Sequence, residues 1–264
     1  MRTHRAFLAM MLAPVLGALR AQTVHVDTIA MVQPFLQQER YTFPRITMPG
    51  ALQVAQRIQR DLSTDLLEVD PDTAEGQWFD MVWGDTSGGM PRLNSIDWSV
   101  TLPRPRILSV EFSAEGCGAY CEGFTVHRVY DLRSGQRLAV DTLFDAVALS
   151  EINDTLARAW HELVSDHLAS IRDSLAAPPR DSLMRDFYKE AEELYAQCLE
   201  EHEEALPYIT DLVVEGSALS FYISRCSAHW NQNADELDPV HFELSLTWLL
   251  PRMRPEYRAL FVAR

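Results

Sequence analysis

Residues 106–138, RILSVEFSAEGCGAYCEGFTVHRVYDLRSGQRL, carry the alternating pattern that decides the fold class. RILSVEFS is predicted to be a strand because apolar side chains recur at every second position, at Leu108, Val110 and Phe112. FTVHRVYDL is predicted to be the next strand. DLRSGQRL turns the chain back at Gly135, which can adopt the positive φ of a hairpin turn. The cysteine loop EGCGAYCEGF, residues 115–124, therefore joins two neighbouring strands.

Similar patterns predict strands on both sides of this stretch. SIDWSVTL (95–102) alternates cleanly, and YITDLVVEGSALSFYIS (208–224) is predicted to be a hairpin that turns at Gly216. PVHFELSLTWL (239–249) is predicted to be a strand throughout. Less regular patterns predict strands at 24–28 and 77–83, and residues 227–238 are predicted to be a polar loop.

Three amphipathic helices complete the predicted elements. The first follows Pro49 and has an apolar face formed by Leu52, Ala55, Ile58, Leu62 and Leu66. The second is capped by Ser150, with a face formed by Ile152, Leu156, Ala159, Leu163, His167, Ile171 and Leu175. The third covers about 181–205, with Leu183, Phe187, Ala191, Leu194 and Cys198 facing inward.

These elements predict an α+β fold in which an antiparallel sheet of about six to eight strands packs with three helices. We expect an N-terminal strand and helix subdomain at 22–93 and an α+β domain at 94–264.

Residues 1–21 have the order of a secretory signal peptide. A basic start with Arg2 and Arg5 precedes an apolar run from Ala6 to Leu19, and Ala21 lies before the expected cleavage point. The run is shorter than the roughly 20 residues that span a bilayer. We expect a periplasmic or secreted protein with no membrane span after cleavage; a retained anchor is the alternative.

Export favours disulfide bonds for the four cysteines. Cys117 and Cys121 are predicted to staple the tip of the strand pair. Cys198 is predicted to pair with Cys226, because the predicted hairpin returns Cys226 towards the end of the third helix. A metal site and free or redox-active thiols are the alternatives. A thioredoxin-type motif has two intervening residues rather than three, and zinc would need two more nearby ligands.

The chain is acidic, with a net charge of −15 over 264 residues. Removal of residues 1–21 takes away three arginines and no acid, which brings the charge to −18. Such a surface repels phosphate backbones and anionic lipids, so nucleic acid is not an expected partner. It attracts cationic proteins, although acidity can also simply keep an exported protein soluble.

No catalytic, cofactor or metal motif stands out in the sequence. His161 and His167 are six residues apart, whereas the two histidines of a zincin are four apart and share one helix face. EEHEE, residues 200–204, is a candidate cation site, but such runs are more often solvated surface. We therefore predict no catalytic residues, no metal and no cofactor.

Three aromatic or ring-bearing residues are the candidate ligand contacts. Tyr120 lies on the stapled hairpin, and His229 and Trp230 lie in the polar loop 227–238. Exposed aromatic side chains often anchor binding. Trp230 could equally pack back onto the sheet.

Residues 106–145 resemble the RsiV C-terminal-type domain family, domain of unknown function 3298. The resemblance rests on the strand with Ile107, Leu108 and Ser109, on the hairpin Asp131-Leu132-x-x-Gly135, and on Leu138, Asp141, Leu143 and Phe144. The final strand with its Leu249-Leu250-Pro251 ending is similar, as is YTFPRI followed by a helix, which resembles the small domain that usually precedes this one. Together the similarity covers roughly residues 40–254.

This resemblance implies a noncatalytic extracytoplasmic module, in a family where RsiV itself binds lysozyme. We expect an exported binding module that recognises a cell-envelope component, such as a peptidoglycan fragment, or a cationic protein such as lysozyme. The expected contacts are the hairpin 113–124 and the loop 227–238. The alternatives are a structural or accessory envelope protein and an envelope glycan hydrolase that uses paired carboxylates.

Overall fold

The computed structural model describes residues 23–32, 40–73, 78–79, 82, 93–101, 105–117, 121–177, 182–203, 205–227 and 229–262. These residues form two β-sheets with helices packed against them, which confirms the predicted α+β class. The predicted signal peptide, residues 1–21, lies outside the described ranges.

The larger sheet has six strands in the order β1-β2-β3-β4-β5-β6. Their bounds are His25–Val32, Arg40–Thr47, Leu93–Val100, Ile107–Cys117, Cys121–Asp131 and Gln136–Arg137. Neighbouring strands are antiparallel except β2 and β3, which pair in parallel at Tyr41 and Ile96. Helix α1 (Leu52–Leu67) lies between β2 and β3 in the chain, and such a crossover returns the next strand in the same direction.

The smaller sheet has three antiparallel strands in the order β7-β8-β9, at Ile209–Glu215, Ala218–Ile223 and Val240–Ser245. The remaining helices are α2 (Val140–Leu143), α3 (Ala146–Ala176), α4 (Ser182–Glu201), α5 (Leu246–Leu249) and α6 (Pro255–Phe261), with a 3-10 helix at His229–Ala234. The structure thus differs from the predicted single sheet, because β7 begins a second sheet beside β5.

One hydrophobic core lies between the larger sheet and α1. Ile58 and Leu62 of α1 are fully buried, and the rings of Phe43 and Phe112 pack 5.5 Å apart beneath them. Gln59 fixes the helix to β2, since its side-chain amide accepts from Ile46 N–H at 2.8 Å and donates to the carbonyl of Pro44 at 3.0 Å. This packing fixes α1 against one face of the larger sheet.

A second core lies between the smaller sheet and the helices α3 to α6. Its largest fully buried side chains include Trp160 of α3, Tyr195 of α4 and Phe221 of β8. Ile107 and Val129 of the larger sheet also belong to this core, so β4 and β5 contribute to both cores. The division at residue 93 stays a prediction, and the larger sheet contains strands from both sides of it.

Helix α3 begins earlier than predicted. Its buried face includes Ile152, Leu156 and Ile171, as predicted, but is rotated between Leu156 and Ile171. Its N-cap is Asp145 rather than Ser150, because the Asp145 carboxylate accepts from Ala148 N–H at 2.9 Å. Instead of Ala159, Leu163 and His167, the helix buries Trp160, Val164 and Leu168. Since each residue turns the helix by about 100°, burial of the large Trp160 ring selects the neighbouring face.

Three other predicted elements also differ. Phe79 lies in a turn and Val82 is helical, both buried, so the described part of 77–83 is not a strand. Strand β9 ends at Ser245, whose hydroxyl accepts from Trp248 N–H and starts α5. The third predicted helix ends at Glu201, and Leu183 at its start is 77% exposed rather than inward-facing.

The disulfide between Cys198 of α4 and Cys226 after β8 is confirmed, with its Cα atoms 5.5 Å apart. Cys121 is also disulfide-bonded, and the β4–β5 register places Cys117 directly opposite it. The side chain of Cys117 lies outside the described residues, so its bond to Cys121 stays a prediction. None of the helices in the described ranges combines the length and hydrophobicity that a transmembrane span needs.

Candidate functional site: a cleft between the two sheets

A cleft of about 1020 Å³ separates the edge of β5 from the edge of the smaller sheet. We call it the inter-sheet cleft. One wall is formed by residues 122–126 of β5, and the other by Tyr208, Thr210, Asp211 and residues 222–225. Ser227, Asp238 and Pro239 line one end. Described residues of the hairpin 113–124 and the two ends of the loop 227–238, the regions predicted from sequence to contact a ligand, therefore line one cavity.

Arg128 forms the floor of the cleft. Its Nη1 lies 2.7 Å from Oδ1 of Asp211 on β7, and its Nη2 lies 2.6 Å from Oδ2 of Asp65 on α1. The Arg128 and Asp211 side chains are each 11% exposed. Burial raises the pKa of Asp211 above its ordinary value, and this effect exceeds the opposing effects of the His127 N–H and of Arg128.

His127 lies beside this ion pair and is buried. Its backbone N–H donates to Oδ2 of Asp211 at 3.1 Å, and its ring Nε2 lies 3.3 Å from Oε2 of Glu111. Its ring packs 4.5 Å from that of Tyr222, which stacks in turn on His241 at 5.1 Å. Burial, with nearby Glu215, Glu111 and Asp211, raises the pKa of the Tyr222 hydroxyl. The Tyr222 side chain therefore stays neutral at ordinary pH and forms an uncharged part of the cleft wall.

An acidic cluster around one arginine lines the other end. Arg225 hydrogen-bonds to Glu122 of β5, and its Nη1 lies 4.0 Å from Oδ2 of Asp238. Burial raises the pKa of Asp238, and the nearby Asp235 and Glu122 act in the same direction. The bond to Glu122 joins the tip of β5 to the segment that follows β8.

A buried network positions the chain segment behind this cluster. The Tyr195 hydroxyl of α4 donates to Oδ1 of Asp235 at 2.8 Å, and Oδ2 of Asp235 accepts from Ser227 N–H at 3.0 Å. Burial and the carboxylate of Asp235 raise the pKa of Tyr195, so the hydroxyl keeps its proton. Together with the Cys198–Cys226 disulfide, this network anchors Cys226, Ser227 and Asp235 to α4.

Two exposed aromatic side chains stand on the walls of the cleft. Phe124 of β5 is 39% exposed, and Tyr208, just before β7, is 73% exposed. In the described part of the chain, Phe124 and Tyr208 are the aromatic side chains that are exposed to solvent. Every other described Phe, Trp and Tyr side chain is at least half-buried, so aromatic exposure is concentrated at this cleft.

The side chains of the three ligand contacts predicted from sequence lie outside the described residues. Tyr120 lies outside the described residues. The backbones of His229 and Trp230 begin the 3-10 helix, and their side chains are outside the described set. These three contacts stay predictions. Across the described ranges, no group of three or more histidines, cysteines or acids is arranged to hold a metal ion.

Sequence reasoning missed the residues that build the cleft, although one signal was present. Arg128 occupies the same strand face as Val126 and Tyr130, so a charged residue stands at an apolar position of β5. A charge at such a position predicts a buried ion pair. No comparable signal identifies its partners, because Asp65 and Asp211 come from distant parts of the chain.

A second cavity, of about 390 Å³, lies between β2 and the start of α1. Its lining is mostly apolar and includes Met48, Leu52 and Trp78. Polar groups, charged pairs and exposed aromatics converge in the inter-sheet cleft instead, which makes the cleft the stronger binding-site candidate.

Comparison with known proteins identifies relatives by fold. No protein-family model matches the chain, and no curated protein matches it. A DUF3298 family protein from Bacteroides fragilis NCTC 9343 is 10% identical, with a TM-score of 0.51, over 92% of this chain and 98% of that chain. One from Pseudomonas aeruginosa PAO1 is 14% identical, with a TM-score of 0.46 and the same coverage. The Bacteroides likeness shows a shared fold, in agreement with the predicted resemblance. The link to RsiV and the small preceding domain stay predictions.

Proposed function

We propose that this chain is an exported, noncatalytic binding protein of the DUF3298 type whose ligand occupies the inter-sheet cleft. One observation carries the proposal: the exposed aromatic side chains of the described residues, Phe124 and Tyr208, both line this cleft. Burial of an exposed ring against a ligand is among the largest contributions a single side chain makes to binding.

The size and charge of the cleft support two partner classes. A volume near 1020 Å³ accommodates a short segment of a peptidoglycan fragment, or a segment that projects from a protein such as lysozyme. Aromatic faces can pack on the apolar faces of sugars or on peptide side chains. The acidic chain favours a cationic protein partner over an anionic one.

The paired carboxylates of the cleft support a binding role rather than a hydrolytic one. The Asp211 and Glu122 carboxylates of the cleft are engaged by Arg128 and Arg225. A carboxylate held in an ion pair is poorly placed to deliver or accept a proton. The Cys198–Cys226 disulfide supports export, because such bonds persist in oxidising compartments.

Calorimetric titration with lysozyme and with soluble peptidoglycan fragments, at about 0.15 M and about 0.5 M salt, tests this function. Non-specific attraction of a cationic protein to this acidic chain is screened at high salt, whereas binding in the cleft survives. We expect one probe to bind at both salt concentrations. We expect the double variant F124A/Y208A to weaken that binding by roughly tenfold to a hundredfold.

Leu183→Ala is the matched control, because Leu183 is an apolar side chain that is 77% exposed on α4, outside the cleft. It should leave the affinity unchanged. Equal affinity of wild type and F124A/Y208A would move the site away from the cleft. Failure of both probes to bind at either salt concentration would remove both proposed partner classes.

A further inference from the structure

The outer edge of β5 is defined by three backbone contacts. His127 N–H donates to the side chain of Asp211, and His127 C=O accepts from Nη1 of Arg128 at 2.8 Å. Val129 C=O accepts from Leu138 N–H at 2.7 Å. The backbone groups of residues 127 and 129 therefore point away from β4.

Gly123 and Thr125 share this orientation. Backbone groups along an antiparallel strand point alternately to opposite sides, and the β4–β5 register runs without a shift from Ile107 opposite Asp131 to Cys117 opposite Cys121. The N–H and C=O groups of Gly123 and Thr125 thus face away from β4. No hydrogen bond to another described strand or loop uses them, and both residues are exposed.

Among residues 123–131 of β5, the open part of the edge lies at the inter-sheet cleft. β6 pairs with Tyr130 and Asp131, and Asp211 with Arg128 occupies the groups of His127. Folded proteins usually cover or block such edges, because unpaired backbone groups are templates for another strand. Here β6, Asp211 and Arg128 cover the edge at residues 127–131 only. The uncovered part, residues 123–125, lines the cavity.

The opposite wall leaves this edge unpaired. In the described ranges no backbone hydrogen bond joins β5 to β7; the two are joined through the side chains of Asp211 and Arg128. The cleft between them has space for an extended chain. A peptide strand entering the cleft would pair with β5 in the way that peptides add to exposed sheet edges elsewhere.

The charges around the cleft indicate the sign of the incoming segment. Two arginines, Arg128 and Arg225, line the cleft together with three carboxylates, from Glu122, Asp211 and Asp238. The excess of carboxylates leaves the cleft acidic, so basic side chains of an entering strand would be favoured.

We propose that β5 accepts an extended, basic segment of a protein partner as an added strand, paired with the backbone of Gly123 and Thr125. This inference rests on the proposed function and names the partner class and the mode of binding in the cleft. It predicts that affinity depends on backbone hydrogen bonds of the partner as well as on its charge.

Three synthetic decapeptides test it directly: one of alternating Val and Lys, the same peptide N-methylated at every second residue, and one with Glu in place of Lys. We expect the Val/Lys peptide to bind and to slow amide exchange at Gly123 and Thr125. The N-methyl groups are placed on the residues whose N–H groups would face β5. This peptide and the Glu peptide should each bind roughly tenfold more weakly than the Val/Lys peptide.

Thr125→Pro tests the same edge from the protein side. Proline removes an N–H that β4 does not use, so the β4–β5 ladder is retained. Thr125→Pro should lower the affinity for the Val/Lys peptide by roughly tenfold. Thr125→Val, which keeps the N–H, should leave that affinity unchanged. Gly123→Pro and Gly123→Ala form a second matched pair, because a Cβ at Gly123 meets nothing within 4 Å.

Several outcomes would overturn the inference: no binding of the Val/Lys peptide at millimolar concentration, equal binding of the N-methylated or Glu peptide, or unchanged affinity in T125P and G123P. Suppose that peptidoglycan fragments bind, that F124A/Y208A weakens their binding, and that the peptides do not bind. Strand addition then fails, while the proposed function stands. If F124A/Y208A also leaves lysozyme and peptidoglycan binding unchanged, the proposed function fails with it.

Discussion

Gly135 turns the chain from β5 into β6 and touches α1 as it does so. Its φ is +72°, and a Cβ there would lie 2.8 Å from the carbonyl oxygen of Val54. Gly135→Ala should therefore lower the free energy of unfolding by about 2–4 kcal/mol, from backbone strain and from displacement of α1 together. Urea denaturation followed by circular dichroism measures the change.

Gly50→Ala is the control for the strain alone. Gly50 has a φ of +82°, but a Cβ there meets nothing within 4 Å. We expect a loss of about 1 kcal/mol. Equal losses at the two glycines would contradict the close approach of the hairpin to α1.

The titration of Asp211 should be visible in the stability of the protein. Burial raises its pKa in the folded protein above the value in the unfolded chain, so the folded state holds this proton more tightly. The contribution of Asp211 to stability is then greatest at low pH and falls as the pH rises through its raised pKa.

Asp211→Asn removes that titration and keeps an oxygen to accept from His127 N–H. The difference in unfolding free energy, wild type minus variant, should decrease as the pH rises from about 4, near the ordinary pKa of an aspartate, through the raised pKa of Asp211. Urea midpoints at intervals of half a pH unit measure it. A difference that stays constant or increases over that range would contradict the burial of this carboxyl.

At the scale of elements, the Cys198–Cys226 disulfide fixes the end of α4 to the segment that lines the cleft. The two cysteines are 28 residues apart in the chain. The double variant C198A/C226A should lose about 3–4 kcal/mol of stability, because the unfolded chain regains the entropy of a loop of that length. Thermal and urea unfolding under non-reducing conditions measure the loss.

The control is C117A/C121A, which opens a loop of only a few residues and should cost about 2 kcal/mol. A larger loss there than in C198A/C226A would contradict the predicted pairing. Non-reducing peptide mapping gives an independent check, since a fragment that joins Cys117 to Cys198 or Cys226 is incompatible with the register of β4 and β5.

Elements with one regular apolar pattern were predictable from sequence. Elements in which two local patterns compete were not. β3, β4 and β5 follow their alternating side chains, and α1 follows its apolar face. The rotation of α3 was not predictable, because two neighbouring stripes compete and only the tertiary position of Trp160 decides between them. Similarly, β9 ends where Ser245 caps a helix, although the apolar alternation continues to Trp248.

At the scale of the whole molecule, Arg128 links three elements: α1 through Asp65, its own strand β5, and β7 through Asp211. Arg128→Met should destabilise the protein by about 3–5 kcal/mol, because it leaves the largely buried Asp211 carboxylate without its counter-charge. Arg137→Ala is the control. Its guanidinium is 3.5 Å from Asp65 and 34% exposed, so the expected loss is below about 1 kcal/mol.

Denaturant unfolding of both variants measures these losses. Similar losses for R128M and R137A would contradict the role of Arg128 as the link between α1 and the two sheets.

The split into two sheets and the cleft between them were beyond sequence analysis. Both depend on how β5 meets β7, which are some 80 residues apart, and on side chains rather than a backbone ladder. The sequence prediction named the hairpin 113–124 and the loop 227–238 as ligand contacts, and this stays a prediction; the described part of the hairpin and the two ends of the loop, Ser227 and Asp238, line the cleft. Their convergence, and the roles of Phe124 and Tyr208, follow only from the tertiary structure.

Hydrogen–deuterium exchange can show whether a ligand binds in the inter-sheet cleft. The protein would be compared alone and saturated with lysozyme and, separately, with soluble peptidoglycan fragments. We expect slower exchange in 123–127, 208–211 and 222–227 with the probe that binds. Protection confined to another surface, such as the apolar cavity between β2 and α1, would contradict it.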